Sequence, residues 1–209
     1  MANCGVVYVA FGDNAQRVMK DSLQTLRKVS SFPTFIVDEN TFTGNPGFGA
    51  RWAKLNIDKL VPKDWKYVLY LDADTMIRAP IDKGFEILQG GNWDMTLTMS
   101  INQGGESLRH LDEEERLYTQ RAVSERFPLQ LQLGVFYFNR ETCKEFFENW
   151  RKEWQRYKTQ DQGAFLRALY KSPIKLWLLG RQYNTPYRKN AIVEHLFGRA
   201  VSAKSAYCM

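Results

Sequence analysis

The sequence is poor in cysteine, in histidine and in long apolar runs, and each shortage closes off a class of protein. Its three cysteines, Cys4, Cys143 and Cys208, are odd in number, far apart and without CxxC spacing. That excludes a disulfide framework and a cysteine-based zinc site, and suits reducing surroundings. No apolar stretch approaches the roughly 20 residues that cross a bilayer; the longest are of the size of Val6 to Phe11. The opening "MANCGVVYVAFGD" has neither the basic start nor the cleavage site of a signal peptide. No Asn-x-Ser/Thr acceptor occurs, in keeping with a chain that stays out of a secretory lumen. These features predict a soluble, cytoplasmic protein with no membrane span. The formal net charge of +6 suits either an anionic ligand or a plain solvated basic surface. There is no dense Lys/Arg tract and no nucleic-acid motif, so no nucleic-acid partner is predicted.

What is present suffices for one substantial core: 209 residues, 44% hydrophobic and 14% aromatic, the size of a single domain. "VVYVAF" (6–11) reads as a strand, and Asn14 as the cap of a helix with Ala15, Val18, Met19, Leu23 and Leu26 on one face. "FPTFIVDE" (32–39) is a second strand, "TGNPGFG" (43–49) a loop, and "ARWAKLNIDKL" (50–60) a helix. "YVLYLDADTM" (67–76) is an apolar run bounded by charge, a buried strand whose C-terminal end meets solvent. This order predicts an α/β sandwich with a largely parallel sheet at its N-terminal half. Further on, "WDMTLTMS" (93–100) alternates like a strand, and Gly104 to Pro128 reads as a surface excursion with a polar helix around Glu113 to Glu125. "LQLGVFYFN" (131–139) is a strand, followed by a Thr142/Glu145 capping box and a helix with Cys143, Phe146, Phe147, Trp150 and Trp154 on one face. "DQGAFLRALY" (161–170) opens a helix, "IKLWLLG" (174–180) is a last strand, and 184–200 an irregular tail.

The chemistry concentrates on Asp72 and Asp74. On a continuing strand they would face opposite ways, but where the strand ends and turns both carboxylates can converge on one cation. Oxygen ligands suit Mg²⁺ or Mn²⁺, and a site with few protein ligands leaves room for phosphate oxygens. The competing reading makes both aspartates turn caps. His195, one of two histidines, is either a packed or surface histidine or an acceptable Mn²⁺ ligand beside two carboxylates. Asp161 either caps its helix or belongs to the site. Arg51 and Lys54, three apart on a helical face, are either a solvated pair or face phosphates.

The ordered set "AKLNIDKL", "YLDADT", "LGVFYFN", "DQG", "YN" (183–184) and "HLFG" resembles the retaining GT-A glycosyltransferases of glycosyltransferase family 8, the family of glycogenin and lipopolysaccharide galactosyltransferases. The resemblance runs from about Val6 to Gly198. It implies an α/β, Rossmann-like GT-A sandwich with a mixed, mainly parallel sheet, a nucleotide-binding half over about residues 1–100 and an acceptor half over about 101–209. It also implies Mn²⁺ (or Mg²⁺) held by Asp72, Asp74 and His195, with Ala73 between the aspartates, bridging the diphosphate of a UDP-sugar donor. Phe11, Gly12, Asp13 and Asn14 would seat uracil and ribose. Lys54, helped by Arg51, would contact donor sugar or phosphate, Asp161 and Gln162 would face the anomeric carbon, and Gly198 would let the chain approach the diphosphate. Gln132 stands where the family has an asparagine, and would supply the amide that touches the sugar. The family's late lysine falls on Val201, so either Arg199 or Lys204 replaces its charge or the diphosphate is held less tightly. UDP-glucose is the first donor expected, with UDP-galactose and UDP-rhamnose behind it, and a carbohydrate hydroxyl the acceptor. Trp93, Tyr118 and Tyr187 could stack on that acceptor. The length resembles the short GT-A domains of multidomain glycan-building enzymes, including those of large algal viruses.

Three rivals carry less of the pattern. A haloacid dehalogenase phosphatase also places two aspartates after a strand, but wants a later acidic pair on a glycine turn. A sugar nucleotidyltransferase opens with GxGxR, which "FGDNAQR" does not supply. A non-catalytic nucleotide-sugar binding module would not need both aspartates, the DQG and the histidine together.

Overall fold

The computed structural model describes residues 3–41, 49–100 and 108–198. Its centre is a six-stranded sheet built of β1 (Cys4–Val9), β2 (Thr34–Val37), β3 (Tyr67–Asp72), β5 (Met95–Met99), β6 (Leu131–Asn139) and β7 (Leu176–Leu178), in the order β2-β1-β3-β6-β5-β7. β1 lies parallel to β2 and β3, and β5 to β7, while β6 runs antiparallel to both β3 and β5. Five strands therefore share a direction, the mixed, mainly parallel sheet predicted.

The two-residue period of the strands sorts the core into two layers. Val7, Val9, Val68, Tyr70, Phe136 and Phe138 join one apolar cluster; Val6, Tyr8, Leu69, Leu71, Val135 and Tyr137 join the other. Helices α2 (Gly49–Leu55), α6 (Lys144–Trp154) and α7 (Asp161–Lys171) pack residues into the first layer, and α1 (Asp13–Arg27) and α4 (Asp82–Gln89) into the second. The expected apolar faces of α1 and α6 are buried. A two-stranded sheet pairs β4 (Thr75–Ile77) with β8 (Val193–His195), Thr75 opposite His195, inside the tail expected to be irregular. Arg78 clamps that pairing with a 2.6 Å ion pair to Glu194.

Several local expectations are corrected. The cap position of α1 is Gly12, at φ 81°, not Asn14. A glycine is needed for that backbone, and its N–H donates to Glu39. The 50–60 helix breaks at Asn56, whose side chain donates to the Trp52 carbonyl, and resumes as α3 (Ile57–Leu60). No capping box forms at Thr142/Glu145: Cys143 holds the cap position without a side-chain bond, Asn139 Oδ1 accepts from the Glu141 N–H, and Glu145 accepts from Ser172. The polar helix α5 (Glu113–Ala122) is capped by Asp112, and it is no bare surface excursion. Its Glu115 and Thr119 are buried against Arg167 of α7, which also pairs with Glu153 of α6.

Candidate active site

The loops at one sheet edge enclose a cleft of about 460 Å³. β3 ends at Asp72 and β4 begins at Thr75, so Ala73 and Asp74 form the turn between them. The Thr75 hydroxyl fastens this turn by donating to the Asp72 carbonyl at 2.9 Å, and through Ser22 it joins the buried Tyr8 hydroxyl. Because the strand stops here, the two aspartates converge rather than diverge. One ligand atom from each of Asp72, Asp74 and His195 lies within 4.8 Å of the others.

His195 reaches the turn from β8. Its Nδ1 is 2.9 Å from the Asn184 amide oxygen, which fixes the proton on Nδ1. Nε2 then presents its lone pair 3.2 Å from Asp74 Oδ1 and 3.6 Å from Asp72 Oδ2. Three acceptors facing one another demand a shared proton or a cation between them. With the proton on Nε2, burial of Asp74 is outweighed by His195 and the Gly198 N–H, which hold its carboxyl below the ordinary 3.8. The surroundings fit a cation as well. A Cβ on Gly134 would collide with the His195 ring and stand 2.8 Å from Asp72 Oδ2, so only glycine leaves the group its space. Two carboxylates and an imidazole are a suitable ligand set for Mn²⁺, and the oxygens for Mg²⁺. Phe197 stacks on the outer face of His195, ring centroids 3.9 Å apart.

Facing this group is a second charged cluster. Lys54 of α2, 7% exposed, lies 2.7 Å from Asp161 at the first turn of α7 and 3.8 Å from Asp72. Burial opposes the lysine's charge, yet Asp161 and Asp72 overcome it and raise its pKa. Burial likewise favours neutral Asp161, but Lys54 first and Arg51 second pull its carboxyl below the ordinary 3.8. The helix cap position belongs to Gln160, so Asp161 is an ion-pair partner and not a cap.

The third wall is the start of β6. Pairing with β5 jumps from Leu97–Phe136 to Thr98–Gln132, so residues 133–135 bulge out of register with β5. Bulges beside clefts re-aim side chains, and this one carries Gln132, Leu133 and Gly134 to the cleft. Gln162 crosses to the same strand, donating to the Leu131 carbonyl at 3.2 Å.

The structure thus brings Phe11, Arg51, Lys54, Asp72, Ala73, Asp74, Gln132, Asp161, Gln162, His195 and Gly198 to one cleft. Gly12, Asp13 and Asn14 are not on its wall, and Arg199, with Val201 and Lys204, lies outside the described residues. The proposed acceptor aromatics are elsewhere. Trp93 pairs with Trp177 and Tyr118 with Tyr157, and Tyr187 is not on the cleft wall. Sequence reading gave no role to Tyr70, Gly134, Asn184 or Phe197. Tyr70 and Asp72 are two apart on one strand, a signal that was there to find.

No known family model matches the sequence, and no curated protein sequence matches it. Solved structures do. The apo bifunctional glycosyltransferase WbbM superposes with a TM-score of 0.67 at 14% identity, over 94% of this chain and 46% of WbbM. The galactosyltransferase LgtC, solved with donor and acceptor sugar analogs, gives 0.60 at 14% identity over 91% of this chain and 86% of LgtC. Mouse xyloside xylosyltransferase 1 gives 0.56 at 12% identity, over 86% of each chain. The chain spans about half of WbbM and most of the other two. It has the fold these proteins share, the GT-A fold.

Proposed function

We propose that the chain is a metal-dependent glycosyltransferase that moves a hexose from a UDP-sugar, UDP-glucose before galactose or rhamnose, to a carbohydrate hydroxyl. The observation that carries this reading is the convergence of Asp72, Asp74 and His195 opposite the Lys54–Asp161 pair in one cleft. Asp72, Asp74 and His195 would hold Mn²⁺ or Mg²⁺. Bound there, the ion supplies Lewis-acid stabilisation of the departing diphosphate.

The remaining work falls to the chain. Transfer breaks the bond between the anomeric carbon and the diphosphate oxygen, forms one to the acceptor oxygen, and releases the acceptor's proton. Arg51, exposed at the cleft, supplies positive charge where the diphosphate gathers negative charge. Asp161, held anionic by Lys54, supplies a negative charge to a sugar of oxocarbenium character. Gln162 has its amide nitrogen on Leu131, which turns its oxygen to sugar hydroxyls. Gln132, next to the bulge, offers a second amide. Retention of configuration follows from the family 8 resemblance.

The test is a panel of nucleotide sugars incubated with Mn²⁺ and no acceptor. Slow UDP release from a UDP-sugar, reduced roughly a hundred-fold in Asp161→Asn with donor affinity nearly kept, is expected, about 2.7 kcal/mol of transition-state stabilisation. Binding of UDP-sugars without any turnover would leave a binding module, and selective use of GDP- or CMP-sugars would overturn the donor.

A further inference from the structure

Tyr70 is a buried phenol that the reaction described above does not use. It lies on the same face of β3 as Asp72, two residues before it, and lines the cleft. Its hydroxyl donates to Asp72 Oδ1 at 2.6 Å. A phenol has a single proton to give, and here that proton is spent on one carboxylate oxygen. The Lys54 ammonium, 3.8 Å away, approaches the same oxygen. Oδ2 is the oxygen that faces His195 Nε2, at 3.6 Å. The two oxygens of Asp72 therefore have different duties, one dressed by donors and one turned into the acceptor group.

We propose that Tyr70 is a positioning residue that makes Asp72 a one-oxygen metal ligand, and so sets which divalent ion the site prefers. The inference rests on the metal-binding reading given above. Its geometry is held from both sides. The Tyr70 ring stacks on Phe136 with centroids 5.0 Å apart, and Lys54 Nζ stands 4.9 Å from the ring centre. The phenol cannot swing away without disturbing a core aromatic and a buried ion pair.

Ion choice follows from ligand geometry. Mg²⁺ demands a small octahedron with ligands near 2.1 Å, whereas Ca²⁺ takes about six to eight oxygens at 2.3–2.6 Å and accepts carboxylates through both oxygens. A carboxylate with Oδ1 already occupied serves small ions and handicaps Ca²⁺. Removing the hydroxyl frees Oδ1 to swing toward the ion, a change that should cost Mn²⁺ affinity while helping Ca²⁺.

The experiment titrates Mn²⁺ by paramagnetic resonance and Ca²⁺ by competition, with UDP present, in the wild type and in Tyr70→Phe. The wild type should bind Mn²⁺ at least tenfold more tightly than Ca²⁺. In Tyr70→Phe, which keeps the ring, Mn²⁺ affinity should fall on the order of tenfold, as for other partners of metal ligands, with Ca²⁺ affinity level or higher. A folded variant with an unchanged ratio, or one that loses both ions equally, overturns the proposal. So does equal Mn²⁺ and Ca²⁺ affinity in the wild type, a result that needs no variant. Absence of any Mn²⁺ binding in the wild type instead sinks the metal-binding reading, and this inference with it.

Discussion

Lys54 and Asp161 form a 2.7 Å ion pair that joins α2 to α7. Lys54→Met should cost about 2 kcal/mol in urea unfolding, because it leaves the partly buried Asp161 carboxylate without its partner. Asp161 has a folded pKa below its ordinary 3.8, so its contribution is complete above 3.8 and lost as pH falls through the lowered value. Lys54, raised above 10.5, contributes fully below 10.5 and loses that contribution as pH climbs through its folded value. The gap between wild type and variant should hold near neutral pH and close in acid; a gap independent of pH would show that the pair is not its source.

Asp74→Asn keeps shape and removes charge. Mn²⁺-dependent UDP binding, followed by calorimetry, should weaken by tenfold or more, and chelation should abolish it in the wild type. Equal UDP affinity with and without chelator would return Asp74 to a turn cap.

Gly134→Ala places a methyl against His195 and Asp72. Overpacking costs typically about 1–3 kcal/mol of stability, but the larger effect should be on the ligand geometry, with Mn²⁺ binding lost in a protein that still melts cooperatively. Retention of wild-type metal affinity would show that this space is not used.

Arg167 is 1% exposed and pairs with Glu115 and Glu153. Arg167→Met takes the arginine from buried Glu115, while Glu153 keeps Lys171 and Arg156, and should cost about 3 kcal/mol by chemical denaturation. Proteolysis within 113–122 should accelerate with it, since this guanidinium joins α5 to α6 and α7. A variant as stable and as resistant as the wild type would refute the clamp.

How much of this was legible depends on the range over which each signal acts. Strands β3 and β6 could be read from their own residues, because burial on both faces leaves an unbroken apolar run. The convergence of Asp72 and Asp74 could be read from the strand's end. The polar helix around Glu113 to Glu125 read as part of a surface excursion, since nothing nearby in sequence announces that buried Arg167 pairs with Glu115. The bulge at residues 133–135 depends on register with β5, which local pattern does not record. At Asn14 and Thr142, good capping residues lost to Gly12 and Cys143, where tertiary contacts, Gly12 N–H to Glu39 and the Cys143 thiol to the Asp94 carbonyl, set the entry of the chain.

The pairing of β4 with β8 carries a consequence for how the protein matures. Asp74 and His195 are 121 residues apart in sequence, and His195 is placed by the last strand described. A chain emerging N-terminus first can complete β1 to β3 and the aspartate turn long before that strand exists. Contacts of such separation are slow to close, so folding of the sheet core and acquisition of metal affinity should be separate events in time. An early, compact intermediate would hold both carboxylates close together without the imidazole, and the last ligand to arrive would make it competent.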